Sequence, residues 1–145
     1  MQREIEILLV EDNEGDIVLT IEALKKAKIQ NAIHVVRDGD EALDFLKKRD
    51  KYINAVTPDI ILLDINLPKM DGTEILSLIK KDDHLKIIPV IMLTTSDSEH
   101  DIVQAYSNHA NCYITKPIDI KSFIKVIRTI KNFWISIVTL PKKTD

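Results

Sequence analysis

The sequence predicts an α/β fold in which helices cover both faces of a parallel β-sheet. Apolar runs of a few residues alternate five times with amphipathic segments of helical length. The runs are continuous rather than interrupted by polar residues, which is typical of strands that are buried on both sides. Right-handed crossovers then place helices on either face of the sheet. We therefore expect a doubly wound, five-stranded sheet within a single domain that spans residues 1–145.

The first strand and helix are predicted by an apolar run and by helical spacing. Ile5–Val10 indicates a buried strand that stops abruptly at Glu11. Ile17, Ile21 and Leu24 follow at positions i, i+4 and i+7, which place them on one face of a helix. This pair of elements sets the pattern for the rest of the chain.

The second and third units repeat the pattern with clear helix starts. Ile33–Val36 predicts a short strand, and Asp38 with Glu41 three residues later predicts a capping box at the start of the next helix. Ile60–Leu63 predicts the third strand, which ends at Asp64. The helix after it is indicated by apolar residues in helical spacing, namely Ile75, Leu76 and Ile79.

The last two units are shorter in their strands. Val90–Leu93 predicts the fourth strand, and Ser96 with Glu99 predicts a capping box for the fourth helix. Tyr113 and Ile114 form a short fifth strand, and a final helix is predicted to start near Asp119.

Composition excludes several classes of function. The chain has 20 Lys and Arg against 23 Asp and Glu, a net charge of -3, which counts against a nucleic-acid-binding surface. One cysteine, Cys112, excludes an internal disulfide and a thiolate metal cage. Every apolar run is far shorter than the ~20 residues that span a bilayer, so we expect no membrane segment and a cytoplasmic protein.

Polar side chains stand where the predicted strands end. Glu11 and Asp12 follow the first strand, Asp64 ends the third, and Thr94 and Lys116 follow the fourth and fifth. The carboxyl ends of parallel strands share one edge of a sheet, and ligands bind there in open α/β folds. We therefore expect three carboxylates, a hydroxyl and an ammonium group to converge.

The chemistry of this set points to magnesium and phosphate. Three carboxylates repel one another unless they share a cation, and oxygen ligands suit Mg²⁺. Lys116 and Thr94 would complete a cradle for a phosphoryl group, and a carboxylate can accept that group covalently. Asp64 is the best acceptor because it lies on the central strand. Taken singly, each residue has a plainer interpretation as a helix cap, a turn residue or a solvated lysine; their joint position favours a site.

Three segments carry a resemblance to the receiver domains of two-component response regulators. Thr94 lies 30 residues and Lys116 52 residues beyond Asp64, as in compact members of that family. The resemblance covers about residues 4–133; residues 134–145 form an extension whose last few residues are expected to be disordered. The matching segments are Leu9–Asn13, Asp64–Gly72 and Thr115–Pro117. Three further segments are similar to phytochrome-associated single-domain regulators: Ala42–Leu46, Asn111–Tyr113 and Phe133–Pro141.

The resemblance implies a flavodoxin-like sheet of strand order 2-1-3-4-5 and a phosphorelay function. Asp64 would accept a phosphoryl group from the phosphohistidine of a sensor histidine kinase, which for this subgroup is phytochrome-like. Asp12, Asp64 and the backbone carbonyl of Asn66 would hold Mg²⁺, with Glu11 acting mainly through a metal-bound water. The protein would assist its own phosphorylation and dephosphorylation without being a turnover enzyme, and would signal to a downstream target or phosphotransfer protein.

The same resemblance implies roles for the residues around the acceptor. Lys116 would pair with the phosphoryl oxygens, aimed by a cis peptide bond before Pro117. Thr94 would bind the same group and, with Tyr113, switch a protein-interaction face. Asn66 and Ser96, each two residues past a site residue, would tune dephosphorylation.

The apolar surface of the last predicted helix has two alternative explanations. Its apolar arc covers roughly 180°, wider than the ~100° that one core contact requires. Either the segment Phe133–Pro141 folds back and covers this surface, or the fourth and fifth helices together form the interface of a homodimer, which is the alternative we favour. Two rival functions also stay open beside the phosphorelay function. One is a dehalogenase-type phosphatase, which needs an acid at the position where this chain has Asn66. The other is a receiver that only binds proteins and never accepts phosphate.

Overall fold

The computed structural model of the chain describes residues 4–26, 31–95 and 112–129. Its strands are β1 (Ile5–Val10), β2 (Asn31–Val36), β3 (Ile60–Asp64), β4 (Val90–Thr94) and β5 (Cys112–Thr115). Its helices are α1 (Glu14–Lys25), α2 (Gly39–Lys47), α3 (Gly72–Lys81) and a helix at Ile120–Thr129, here called the 120–129 helix, with a 3₁₀ turn at Asp50–Tyr52. The predicted fourth helix and Ser96 lie outside these residues.

The five strands form one parallel sheet in the order β2-β1-β3-β4-β5, which confirms the predicted fold class and strand order. In the register of the sheet, Val10 lies opposite Leu63, so Glu11 follows at the level of Asp64. On the other side Thr94 lies opposite Thr115, directly before Lys116. The register therefore brings the predicted site residues to one edge.

Two apolar layers hold the sheet in place. Every residue of β3 and β4 is buried, as their continuous apolar sequences predict. Successive side chains of a strand point to opposite faces, so Leu63 packs with α2 and α3 whereas Leu62 packs with α1 and the 120–129 helix. Phe123 of that helix is almost fully buried. The central strands are thereby fixed from both sides, which keeps the positions of their carboxyl ends rigid.

Side-chain caps start the helices where the sequence predicts them. Asp38 accepts a hydrogen bond from the backbone N–H of Glu41 at 2.8 Å, and Asp71 caps α3 in the same way. The reciprocal half of the predicted capping box differs, because the Glu41 carboxylate accepts from the N–H of Arg37 instead of Asp38. Tyr52 occupies the other carboxylate oxygen at 2.6 Å, which turns Glu41 away from the cap.

The 120–129 helix begins one residue after Asp119, which caps it by accepting from the N–H of Ser122 at 2.8 Å. Ile120 and Ile124 pack against the core on the α1 side of the sheet. The predicted covering segment Phe133–Pro141 and the fourth-helix half of the predicted dimer surface lie outside the described residues, so both alternatives remain predictions. Among the residues the structure describes, no helix is long and apolar enough to cross a membrane.

Candidate functional site

Glu11 and Asp12 occupy the first corner of the site, directly after β1. The backbone N–H of Glu11 donates to the carbonyl of Val36 at 3.0 Å, which ties this turn to the end of β2. The Glu11 side chain is fully buried and accepts from the N–H of Asn13 at 3.2 Å, whereas Asp12 is exposed. One buried and one solvent-facing carboxylate therefore stand side by side.

Asp64 is the last residue of β3 and is 2% exposed. One oxygen of its carboxylate accepts from the N–H of Asn66 at 3.1 Å. The loop after it folds back so tightly that a Cβ atom on Gly72 would lie 2.3 Å from the carbonyl oxygen of Asp64. Glycine at position 72 is therefore required for this close approach to the backbone of Asp64.

The three carboxylates form a compact cluster. One oxygen each from Glu11, Asp12 and Asp64 lies within 4.8 Å of the other two. Because all three groups offer oxygen and one of them faces solvent, the cluster suits a hard divalent cation that keeps part of its water shell. The sequence-based prediction that these residues converge is realised in the structure.

Lys116 closes the site from β5. Its backbone N–H donates to the carbonyl of Thr94 at 2.7 Å, and its peptide bond to Pro117 is cis. The side chain is 9% exposed, and its ammonium nitrogen Nζ lies 3.2 Å from Glu11 Oε1 and 3.2 Å from Asp64 Oδ2. The ammonium group is thus held within reach of anything bound to Asp64.

A fourth carboxylate, which the sequence analysis did not single out, completes the contacts of Lys116. Asp16 Oδ2 accepts from Lys116 Nζ at 2.8 Å, the shortest of the three ion pairs. Asp16 lies in the first turn of α1, four residues after Asp12. Asp12 precedes the helix cap Asn13, so helical periodicity does not link the two residues, and the only signal in the sequence is that Asp16 closely follows the acidic end of β1.

The charges of the site are unbalanced, and the pKa values follow from this. Burial, a hydrogen bond shared with Asp64 and the charge of Asp64 together raise the pKa of Glu11 to about 7. Burial lowers the pKa of Lys116, but the hydrogen bond to Asp16 and the charges of Asp64 and Glu11 outweigh it and raise that pKa above its ordinary value. Lys116 therefore stays protonated, while the carboxylates still carry excess negative charge that a bound cation would offset.

Thr94 supplies a hydroxyl that is ready for a ligand. It ends β4 and is fully buried, and its Oγ1 has no hydrogen-bond partner among the residues that the structure describes. Buried hydroxyl groups nearly always find a partner. Thr94 lies on the strand next to β3, one residue past the partner of Asp64. A hydroxyl in this position is what a site for an additional oxygen-rich group would contain.

The remaining predicted residues flank the site. Asn66 is exposed and touches the Asp64 carboxylate through its backbone N–H. Tyr113 lies on β5 opposite Met92 and is 37% exposed, so its ring is not enclosed in the core. Pro117 is exposed at the rim. The tuning role of Asn66 and the switch role of Tyr113 stay predictions.

Comparison with known proteins gives one consistent picture. The model of the response regulator receiver domain family matches residues 7–128. The response regulator Rcp1 of Synechocystis sp. is 46% identical over 135 residues, 93% of this chain and 92% of that protein. The crystal structure of its Mn²⁺-bound form aligns over 94% of this chain and 98% of that one, with a TM-score of 0.72 and 46% identity.

A second solved structure is of the phosphorylated cyanobacterial phytochrome response regulator RcpA. It is 47% identical, covers 95% of this chain and 99% of that one, and has a TM-score of 0.75. Both relatives match this chain over nearly its full length.

Proposed function

This chain belongs to the response regulator receiver family, and we propose that Asp64 is its phosphoryl acceptor. As a receiver domain it acts in two-component signalling, and it is a signalling protein rather than a classical turnover enzyme. The observation that carries the assignment of Asp64 is its position: among the described residues it combines a contact with Lys116, membership of the three-carboxylate cluster and a place at the end of the central strand. The same family match decides against the dehalogenase-type phosphatase.

A divalent metal fits the carboxylate cluster, and we propose Mg²⁺ as the physiological ion. Asp12, Asp64 and the backbone carbonyl of Asn66 would hold it, and Glu11 would act through a bound water. When bound, the ion would offset the charge of the carboxylates and draw the oxygens of an incoming phosphoryl group toward Asp64. Support comes from the oxygen-only donor set and from the relative Rcp1, whose structure contains Mn²⁺.

Phosphoryl transfer uses this chain's own groups in defined roles. An oxygen of the Asp64 carboxylate forms a bond to phosphorus while the bond from phosphorus to the histidine nitrogen of the kinase breaks. The Lys116 ammonium, 3.2 Å from Asp64 Oδ2, donates to a phosphoryl oxygen. The Thr94 hydroxyl, which has no partner among the described residues, donates to another phosphoryl oxygen.

The phosphoryl group then changes the surface through Thr94 and Tyr113. It adds about −1.5 to −2 charge at the sheet edge, and Thr94 moves toward it. We propose that Tyr113, 37% exposed on the neighbouring strand, turns into the space vacated. The partners that fit are a phytochrome-like sensor histidine kinase and a downstream target, with homodimerisation as a further proposal, by analogy with the phytochrome response regulators to which the chain is similar.

Intact-mass spectrometry with acetyl phosphate as the donor tests the proposal directly. We expect one phosphoryl group on the wild-type protein, lost in Asp64→Asn and greatly reduced without Mg²⁺. Asp40→Asn is the matched control, because Asp40 is an exposed aspartate in the first turn of α2, away from the cluster. A wild-type protein that takes up no phosphoryl group would instead indicate a receiver that works only by binding proteins.

A further inference from the structure

Asp16 differs from the other carboxylates that touch Lys116. Glu11 and Asp64 both belong to the three-carboxylate cluster, whereas Asp16 lies outside it on the first turn of α1. Its contact with Lys116 Nζ is nevertheless the shortest, 2.8 Å against 3.2 Å for each of the others. The side chain of Asp16 is 33% exposed, so solvent can reach it while Lys116 is 9% exposed.

The Asp16 side chain does not cap its own helix. Asn13 caps α1 by accepting from the backbone N–H of Asp16, which leaves the Asp16 carboxylate available to Lys116. The neighbouring acid of the same turn, Glu14, points elsewhere and pairs with Arg37 at 2.7 Å. The Asp16 carboxylate is therefore committed to a residue 100 positions away in the chain, at the site itself.

The importance of this contact follows from the charges around Lys116. A divalent cation among Glu11, Asp12 and Asp64 would take up much of their negative charge and repel the nearby ammonium group. Asp16 is outside that cluster and keeps its full attraction for Lys116. It is then the carboxylate that holds the ammonium group beside Asp64 once the cluster is loaded.

We propose that Asp16 is a positioning residue, which anchors the Lys116 ammonium beside Asp64 so that it meets the incoming phosphoryl group. The inference rests on the proposed function, because it concerns how Lys116 serves phosphoryl transfer to Asp64. Asp16 acts through Lys116 and does not itself contact the transferred group. Without it, the flexible lysine side chain samples other conformations and is less often in place.

The first test compares Asp16→Asn with Glu14→Gln, each of which removes one negative charge from the same helical turn. At saturating Mg²⁺ and limiting acetyl phosphate, we expect Asp16→Asn to slow phosphorylation by about three- to ten-fold. Glu14→Gln should stay within about two-fold of wild type, since Glu14 does not touch Lys116. Equal rates for Asp16→Asn and wild type, with wild type labelled normally, would overturn the inference and leave the proposed function standing.

The second test asks whether Asp16 acts through Lys116. In a Lys116→Ala background, Asp16→Asn should have no further effect on the rate, and an undiminished slowing there would overturn the inference. A readout independent of activity is the NMR signal of the Lys116 ammonium protons, whose exchange with water the ion pair retards. We expect faster exchange in Asp16→Asn and near wild-type exchange in Glu14→Gln, with Asp16→Glu restoring part of the protection. Unchanged exchange in Asp16→Asn would contradict the anchor even if wild-type protein were never phosphorylated.

Discussion

Lys80 and Lys116 are both partly withdrawn from solvent, and their surroundings differ in kind. Lys80, near the end of α3, donates to the backbone carbonyls of Lys86 at 3.0 Å and Ile88 at 2.7 Å. Burial lowers its pKa, and no carboxylate in the described part of the chain counters this effect. Lys116 instead meets three carboxylates, which raise its pKa despite its burial.

The difference separates a structural group from a functional one. Lys80 donates to two backbone carbonyls in the turn before β4, and this contact is structural. Lys116 stands in a cluster that has more negative charge than it can neutralise, beside a buried hydroxyl without a described partner. This excess of negative charge suits a bound cation, and the ammonium and hydroxyl donors suit a phosphoryl group.

The distinction between Lys80 and Lys116 is tested most strongly by removing each ammonium group in turn. Lys116→Ala leaves Glu11, Asp16 and Asp64 without their shared cation, so we expect the metal-free protein to lose about 2 kcal/mol of unfolding free energy. Mg²⁺ should restore most of that loss, while the phosphorylation-dependent response stays weak. Urea denaturation with and without Mg²⁺ measures this; equal losses under both conditions would show that the cluster and the cation are not coupled.

Lys80→Ala should give the opposite pattern with a smaller effect. Two carbonyl groups lose a donor, and the stem of the side chain loses its packing, so the free energy of unfolding should fall by about 1 kcal/mol. Phosphorylation by acetyl phosphate should match that of wild type, and Mg²⁺ should not rescue the loss. A large defect in phosphorylation would place Lys80 in the functional class and contradict the distinction.

Two buried threonines sharpen the same contrast. Thr73 Oγ1 donates to the carboxylate of Asp71, whereas Thr94 Oγ1 has no partner in the described part of the chain. Thr94→Val should therefore raise the unfolding free energy of the unphosphorylated protein by roughly 0.5–1 kcal/mol while abolishing the switch. Thr73→Val should lower stability by a similar amount and leave signalling intact. Thermal denaturation of both variants decides the sign, and a destabilised Thr94→Val would mean that its hydroxyl is already satisfied.

The smallest expected effect is a dependence of stability on pH at Lys80. Its folded-state pKa is lowered by burial, so the unfolded chain binds more protons in the interval between that pKa and the ordinary lysine value. Stability should therefore rise with pH through that interval and should not rise below it. Comparing wild type with Lys80→Met by chemical denaturation across alkaline pH isolates the contribution, which should vanish in the variant.

The residues of the site were predictable where one topological rule applied. Glu11, Asp64, Thr94 and Lys116 all stand at strand ends, and a parallel sheet brings such positions together whatever the loops do. Asp16 was missed because it lies on a helix. Its contact with Lys116, 100 positions later in the chain, depends on how the two side chains extend in space.

Other features had no sequence signal to follow. The partners of Lys80 are backbone carbonyls, which every residue carries, so nothing in the sequence marks the contact. β2 begins at Asn31, two residues before the apolar run, because pairing with β1 continues over Asn31 and Ala32. The predicted domain limits, the role of Ser96 and the dimer surface stay predictions, since the described residues do not test them.

The most direct measurement of the central claim locates the phosphoryl group within the chain. Borohydride reduces an aspartyl phosphate to homoserine, which peptide mass spectrometry identifies at a single position. After treatment with acetyl phosphate and Mg²⁺, we expect homoserine at position 64 and unmodified aspartate at positions 12, 16 and 71. Homoserine at any of those three positions, with residue 64 unchanged, would contradict the assignment of Asp64 as the acceptor.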